Sequence, residues 1–164
     1  MTVGDRCGTT PTSIEGAKGV RLSRHGDRRL EPPGGDAPPA SAWLEDAEVE
    51  LGLLPLAEEI CRRYRQEFPD EQQRYGDAGN AWCVHDNQYL LCWAVEAVNG
   101  YIDMEAEVDW LAGVLEARDF PLERLARGLE IGADVVAEQQ GGTSLAQLAA
   151  TLMGAAAYVR DTCL

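Results

Sequence analysis

Apolar positions along this chain recur at intervals of three and four residues rather than two, from about residue 41 to the C-terminus. That period predicts helices. The first candidate covers residues 41–68, with Ser41 as its cap and Glu45 and Asp46 near the positive end of its dipole. Gly52 and Pro55 interrupt it, because proline is tolerated only in a helix's first turn. A short piece before Leu54 should therefore precede a longer helix with the stripe Leu56, Ile60, Tyr64 and Phe68. Residues 69–80, PDEQQRYGDAGN, are polar and lose periodicity after Tyr75, which reads as a linker or a frayed helix and turn.

Residues 81–98 predict the central helix, within the run AWCVHDNQYLLCWAVEAVNGY. At about 100° per residue, Trp82, Asp86, Tyr89, Trp93 and Ala97 fall within about 60° of one meridian, with His85 and Glu96 beside it. Val84, Leu91, Val95 and Val98 occupy the other side, so the helix is apolar around most of its circumference and must be surrounded by others. Asn99-Gly100 tolerates positive φ and ends it. Asp103 caps a third helix that buries Met104, Val108, Leu111 and Leu115, a face widened by Trp110 and Val114. After a corner at Asp119-Phe120-Pro121, a fourth helix carries the stripe Leu122, Leu125, Leu129, Gly132 or Ala133, and Val136. Gly128 and Gly132, four apart, would let a neighbour approach closely. Thr143 or Ser144 caps the last helix, which buries Leu145, Leu148, Leu152, Met153, Ala156 and Val159.

No internal repeat and no run of strands interrupts this pattern. The predicted fold is all-α, a compact five- to six-helix orthogonal or globin-like bundle with a disordered N-terminal tail. One wholly surrounded helix argues against an up-and-down four-helix bundle, whose helices each keep a wet face.

Composition changes the picture at the N-terminus. Residues 1–40 hold most of the proline and few large apolar side chains, so they read as a flexible leader to a single domain over 41–164. Formal charge divides at the same place: residues 1–41 carry 6 Lys and Arg against 5 Asp and Glu, and residues 42–164 carry 8 against 23. A body this acidic repels phosphate backbones, which excludes nucleic acid as its partner. The basic cluster RLSRHGDRR around His25 reads as part of the solvated tail. No stretch is apolar enough to span a membrane, and no secretory signal opens the chain. Five cysteines without a CxxC predict reduced thiols and a cytoplasmic protein.

Candidate chemistry gathers on the central helix. Trp82, Tyr89 and Trp93 form an aromatic ladder beside His85, Asp86 and Glu96, a lining suited either to a core seam or to a flat, partly polar ligand. Cys83 and His85 point about 200° apart on a helix, and His85 and Cys92 lie about 10 Å apart along it, so neither pair chelates one metal. Paired ExxH, GxSxG, P-loop and HExxH motifs are all missing, and nothing marks an enzyme.

The run HDNQYLLCWAVEAV, followed by VDWLAGVLEARDFPLERLARGLEI, resembles the all-helical region found near cobalamin-binding regulatory proteins and in globin-like sensor domains of bacterial stress regulators. The resemblance covers about residues 81–136. It implies signal sensing, with His85, Tyr89 and Trp110 near a ligand or an interface. The expectation is a non-enzymatic sensory or regulatory module that binds a small molecule or a partner protein, a second copy included, at Trp82, His85, Asp86, Tyr89, Trp93 and Glu96. The alternative is a haem- or corrinoid-binding protein with His85 as axial ligand.

Overall fold

The computed structural model describes residues 30–140 and 142–164. The predicted leader as far as residue 29, with His25 and its basic cluster, lies outside them. Among the described residues the order is strand β1 (Ser41–Leu44), strand β2 (Val49–Gly52), then helices α1 (Leu53–Glu67), α2 (Asp70–Val98), α3 (Met104–Glu116), α4 (Leu122–Ala137) and α5 (Gly142–Tyr158). A π-helical turn, Val159–Cys163, continues α5. The all-α compact bundle expected from the periodicity is present, with a small hairpin ahead of it.

That hairpin corrects the first predicted helix. Ser41 pairs with Gly52, Ala42 with Leu51, Trp43 with Glu50 and Leu44 with Val49, antiparallel. Ala42 and Leu44 point into the core while Trp43 is 51% exposed, the period-two alternation of a strand. The hairpin is held by Asn99, whose side-chain amide donates to the Trp43 carbonyl at 2.7 Å and accepts from the Glu45 amide at 3.1 Å. Helix α1 then starts at Leu53, and Pro55 sits in its first turn as expected. Leu53, Leu56, Ala57, Ile60, Cys61 and Tyr64 are its buried face.

Residues 70–80, expected as a linker or a frayed helix and turn, are the helical start of α2, with Pro69 at its N-cap. Asp70 and Glu71 occupy the first turn of α2, where carboxylates favour the dipole, and the break is confined to Gly76 at φ 59° and ψ −153°. Glycine reaches that conformation without a Cβ penalty. The bend brings the chain so close that a Cβ on Gly79 would lie 2.4 Å from the Cβ of Tyr75. Residues 90–96 are all buried, so this part of the helix predicted over 81–98 is surrounded as expected, whereas residues 81–87 are half-buried. Helix α2 as a whole packs against α1, α3, α5 and β1.

Some local signals elsewhere read true and others do not. Asp103 caps α3 by accepting from the Glu105 amide at 3.0 Å, and Gly100 leaves α2 at φ 83°. The α4 stripe is buried throughout, and Gly132 meets Ile60 Cδ1 at 3.5 Å and Leu152 Cδ1 at 3.7 Å. Helix α5 begins at Gly142, ahead of the predicted cap positions, and Met153 and Trp110 are exposed rather than buried. Each buried Leu or Val of these stripes stabilises the fold by about 1.5–3 kcal/mol relative to exposure.

The cysteines give a further correction. Cys61 of α1 and Cys83 of α2 form a disulfide, with Cα atoms 5.9 Å apart. Reduced thiols were expected because the spacings lack a CxxC, but helix packing pairs residues separated by 22 positions. Cys92 is not a free thiol either, and among the described residues Cys163 is the free cysteine. No helix among the described residues is long and apolar enough to cross a membrane.

Candidate functional site

Helices α1 to α4 do not close completely on one another below the bend of α2. They leave a cavity of about 190 Å³ whose walls are largely apolar. Leu90 of α2, Leu111 and Leu115 of α3, and Leu125 of α4 form its floor, and Leu30 from the segment before β1 lies across it. Tyr75, Trp82 and Phe120 add aromatic walls. The close helix approach expected at Gly128 and Gly132 occurs at Gly132 alone: Gly128 borders the cavity, and a Cβ built there would meet nothing within 4 Å.

One end of the cavity is polar and internally satisfied. The Tyr64 hydroxyl donates to Glu71 Oε1 at 2.9 Å, and Arg124 donates to Glu71 and, at 2.8 Å, to Asp70 Oδ2. Burial, followed by the Glu71 charge, pushes the Tyr64 phenol well above its ordinary range, so it stays protonated and donates. The hydrogen bond from Arg124 holds Asp70 below the usual carboxylate range. This network explains the helical first half of α2: Arg124 fixes Asp70 and Glu71 against α4, offsetting the helix cost of Gly76 and Gly79.

Cys83 also borders the cavity, with its sulfur tied up in the disulfide. Asn87 donates to the Cys83 carbonyl at 2.9 Å and lies 3.6 Å from both sulfurs. The reactive groups on this wall are thus committed to one another. The remaining space suits an apolar body.

The six residues singled out from the sequence separate into different environments. Trp82 and Asp86 line the cavity. His85 does not; it borders a shallower hollow beneath residues 32–38 together with Gln88. Its Nδ1 lies 2.9 Å from Asp86 Oδ1. The aromatic ladder is real and continuous: ring centroids are 5.2 Å apart for Trp82 and His85, 5.1 Å for His85 and Tyr89, 6.1 Å for Tyr89 and Trp93, and 6.3 Å for Trp93 and Trp110. Trp93 and Glu96 are buried in the bundle, away from the cavity. Among the described residues, no group of three or more His, Cys, Asp or Glu is placed to hold a metal ion.

Residues 30–40, assigned to the leader on composition, lie along α2. The Trp82 indole donates to the Glu31 carbonyl at 2.6 Å and the Gln88 amide to the Pro39 carbonyl at 3.1 Å. Sequence reasoning missed Tyr64, Glu71, Arg118, Arg124 and Gly128 as site residues. Arg118 and Arg124 offered one signal, two of the few cations in an acidic body flanking the Phe120-Pro121 corner.

Fold and cavity together define an all-helical chain with a helix-walled apolar cavity. Comparison with protein-family models, curated proteins and solved structures returns no match.

Proposed function

We propose that this chain is a non-enzymatic regulatory module that binds a small molecule in the cavity between α1, α2, α3 and α4. The observation that carries this reading is the cavity itself: an apolar space walled by four helices, with Tyr64, Glu71 and Arg124 at its polar end paired among themselves. An apolar cavity of about 150 Å³ holds a benzene ring, so this one suits a single ring or a chain of about eight carbons. A ligand there touches four helices at once, which ties its presence to their packing. It stabilises the folded state by mass action, by about 2.7 kcal/mol at a hundredfold excess over Kd.

Octanol is a neutral probe of this space. Addition should raise the melting temperature and change the tryptophan fluorescence, because Trp82 borders the cavity. Gly128→Leu, which fills the space from the α4 side, should remove both responses while leaving the protein folded. Octanol without effect on the unmodified chain, or an equal effect on the Leu variant, sinks the reading.

A further inference from the structure

We infer that the ligand carries an anionic head, a carboxylate above all, received by Arg118 at the cavity rim while its apolar body enters the cavity. This inference rests on the cavity-binding reading. Four charged side chains border the cavity: Glu71, Asp86, Arg118 and Arg124. Glu71 and Arg124 are paired with each other, and Asp86 Oδ1 is hydrogen-bonded to His85 Nδ1 at 2.9 Å. Arg118 makes no salt bridge among the described residues; its guanidinium lies over the Trp82 ring, 5.6 Å from the centroid.

That stacking orients the group without consuming its hydrogen bonds. A guanidinium lying over a ring keeps its edge N–H donors, a planar fork that matches a carboxylate. A cationic head would meet Arg118 itself, and two of the aromatic rings that line the cavity, Trp82 and Tyr75, already carry guanidinium groups. Arg74 lies 5.3 Å from the Tyr75 ring centroid. The acidic body favours cations at long range, but that field is screened beyond about 10 Å in ordinary salt, whereas a head group at the rim meets Arg118 directly.

Octanoate, octanol and octylamine share one chain and differ in the head, so titration of each below its aggregation threshold, followed by calorimetry, separates the contributions. Octanoate should bind about tenfold tighter than octanol, the scale of a charge-assisted hydrogen bond at a partly exposed site. Octylamine should bind weakest. Arg118→Gln should bring octanoate down to the affinity of octanol and leave octanol unchanged. Arg118→Lys, which keeps the charge and loses the fork, should fall between. Octanoate no tighter than octanol, octylamine the tightest of the three, or octanoate unaffected by Arg118→Gln overturns the anionic head and leaves the cavity reading standing. Failure of all three probes to bind, or equal binding of all three to Gly128→Leu, overturns the cavity reading itself.

Discussion

Replacing Gly128 by Ala should make the protein more stable. Gly128 lies inside α4, with ordinary helical backbone and no positive φ. A Cβ built on it meets nothing within 4 Å, because the position borders the cavity. The cost of glycine in a helix interior is therefore recovered without a steric charge against it, a gain of about 0.8–1.0 kcal/mol. The methyl makes few contacts of its own, so packing adds little. For a chain of this size the melting temperature should rise by about 2–4 °C. Gly79→Ala is the control, since its Cβ would meet the Tyr75 Cβ at 2.4 Å and the bend of α2 would have to open. Urea unfolding of both variants, read by circular dichroism, gives the two signs from midpoints at constant slope. A lower midpoint for Gly128→Ala would show that the space beside it is filled, and the cavity argument would fall with it. An unchanged midpoint for Gly79→Ala would refute the close approach at the bend.

Three further outcomes follow, one from the cross-link and two from carboxylates. Closing a loop over 22 positions, the Cys61–Cys83 disulfide should contribute about 3 kcal/mol. The double Cys61→Ala, Cys83→Ala variant should melt well below the parent under oxidising conditions and close to it in reductant; equal melting in both would show that the bridge does not stabilise the chain. Burial, and then the Asp103 charge, raises the Glu107 carboxyl above its ordinary value, and its buried Oε2 has no hydrogen-bond partner among the described residues. An acid raised in the folded state holds its proton more tightly there, so stability falls as pH rises through that elevated value. Glu107→Gln should thus stabilise at pH 7 and have little effect near pH 3, and a pH-independent difference would contradict the assignment. Glu59 works in the opposite sense: hydrogen bonds from Arg62 and then Arg63 hold it at about 2, so its contribution is present above pH 4.5 and lost as pH falls toward 2.

The parts of the fold that were legible in the sequence are those whose causes are local. The stripe on α4, the Asp103 cap and the Asn99-Gly100 stop each need only a few neighbouring residues to be recognised. The hairpin was missed because its alternation runs over only Ala42, Trp43 and Leu44, and what holds it is Asn99, more than fifty positions away. Likewise Gly76 and Gly79 read as breakers, and nothing in residues 69–80 shows that Arg124 will fasten Asp70 and Glu71 to α4. Tertiary contacts overrode a local preference that was read correctly.

The candidate site obeys the same rule at finer scale. A helical wheel put Trp82, His85, Asp86, Tyr89, Trp93 and Glu96 on one arc, and ring contacts along it join Trp82, His85, Tyr89 and Trp93. An arc says nothing about what it faces. Here its cavity side, Trp82 and Asp86, meets α3 and α4, while His85 meets residues 32–38. The dividing line falls between two adjacent residues, His85 and Asp86, which touch through Nδ1 and Oδ1. Asp86 therefore belongs to both environments: its carboxylate borders the cavity and also holds the imidazole that faces the N-terminal segment. Trp82 bridges them too, with its ring beneath Arg118 at the rim and its indole N–H on the Glu31 carbonyl. A ligand that moved Arg118 or the Trp82 ring would be felt first by residues 30–40, so that segment, rather than the buried half of α2, is where occupancy of the cavity should be read.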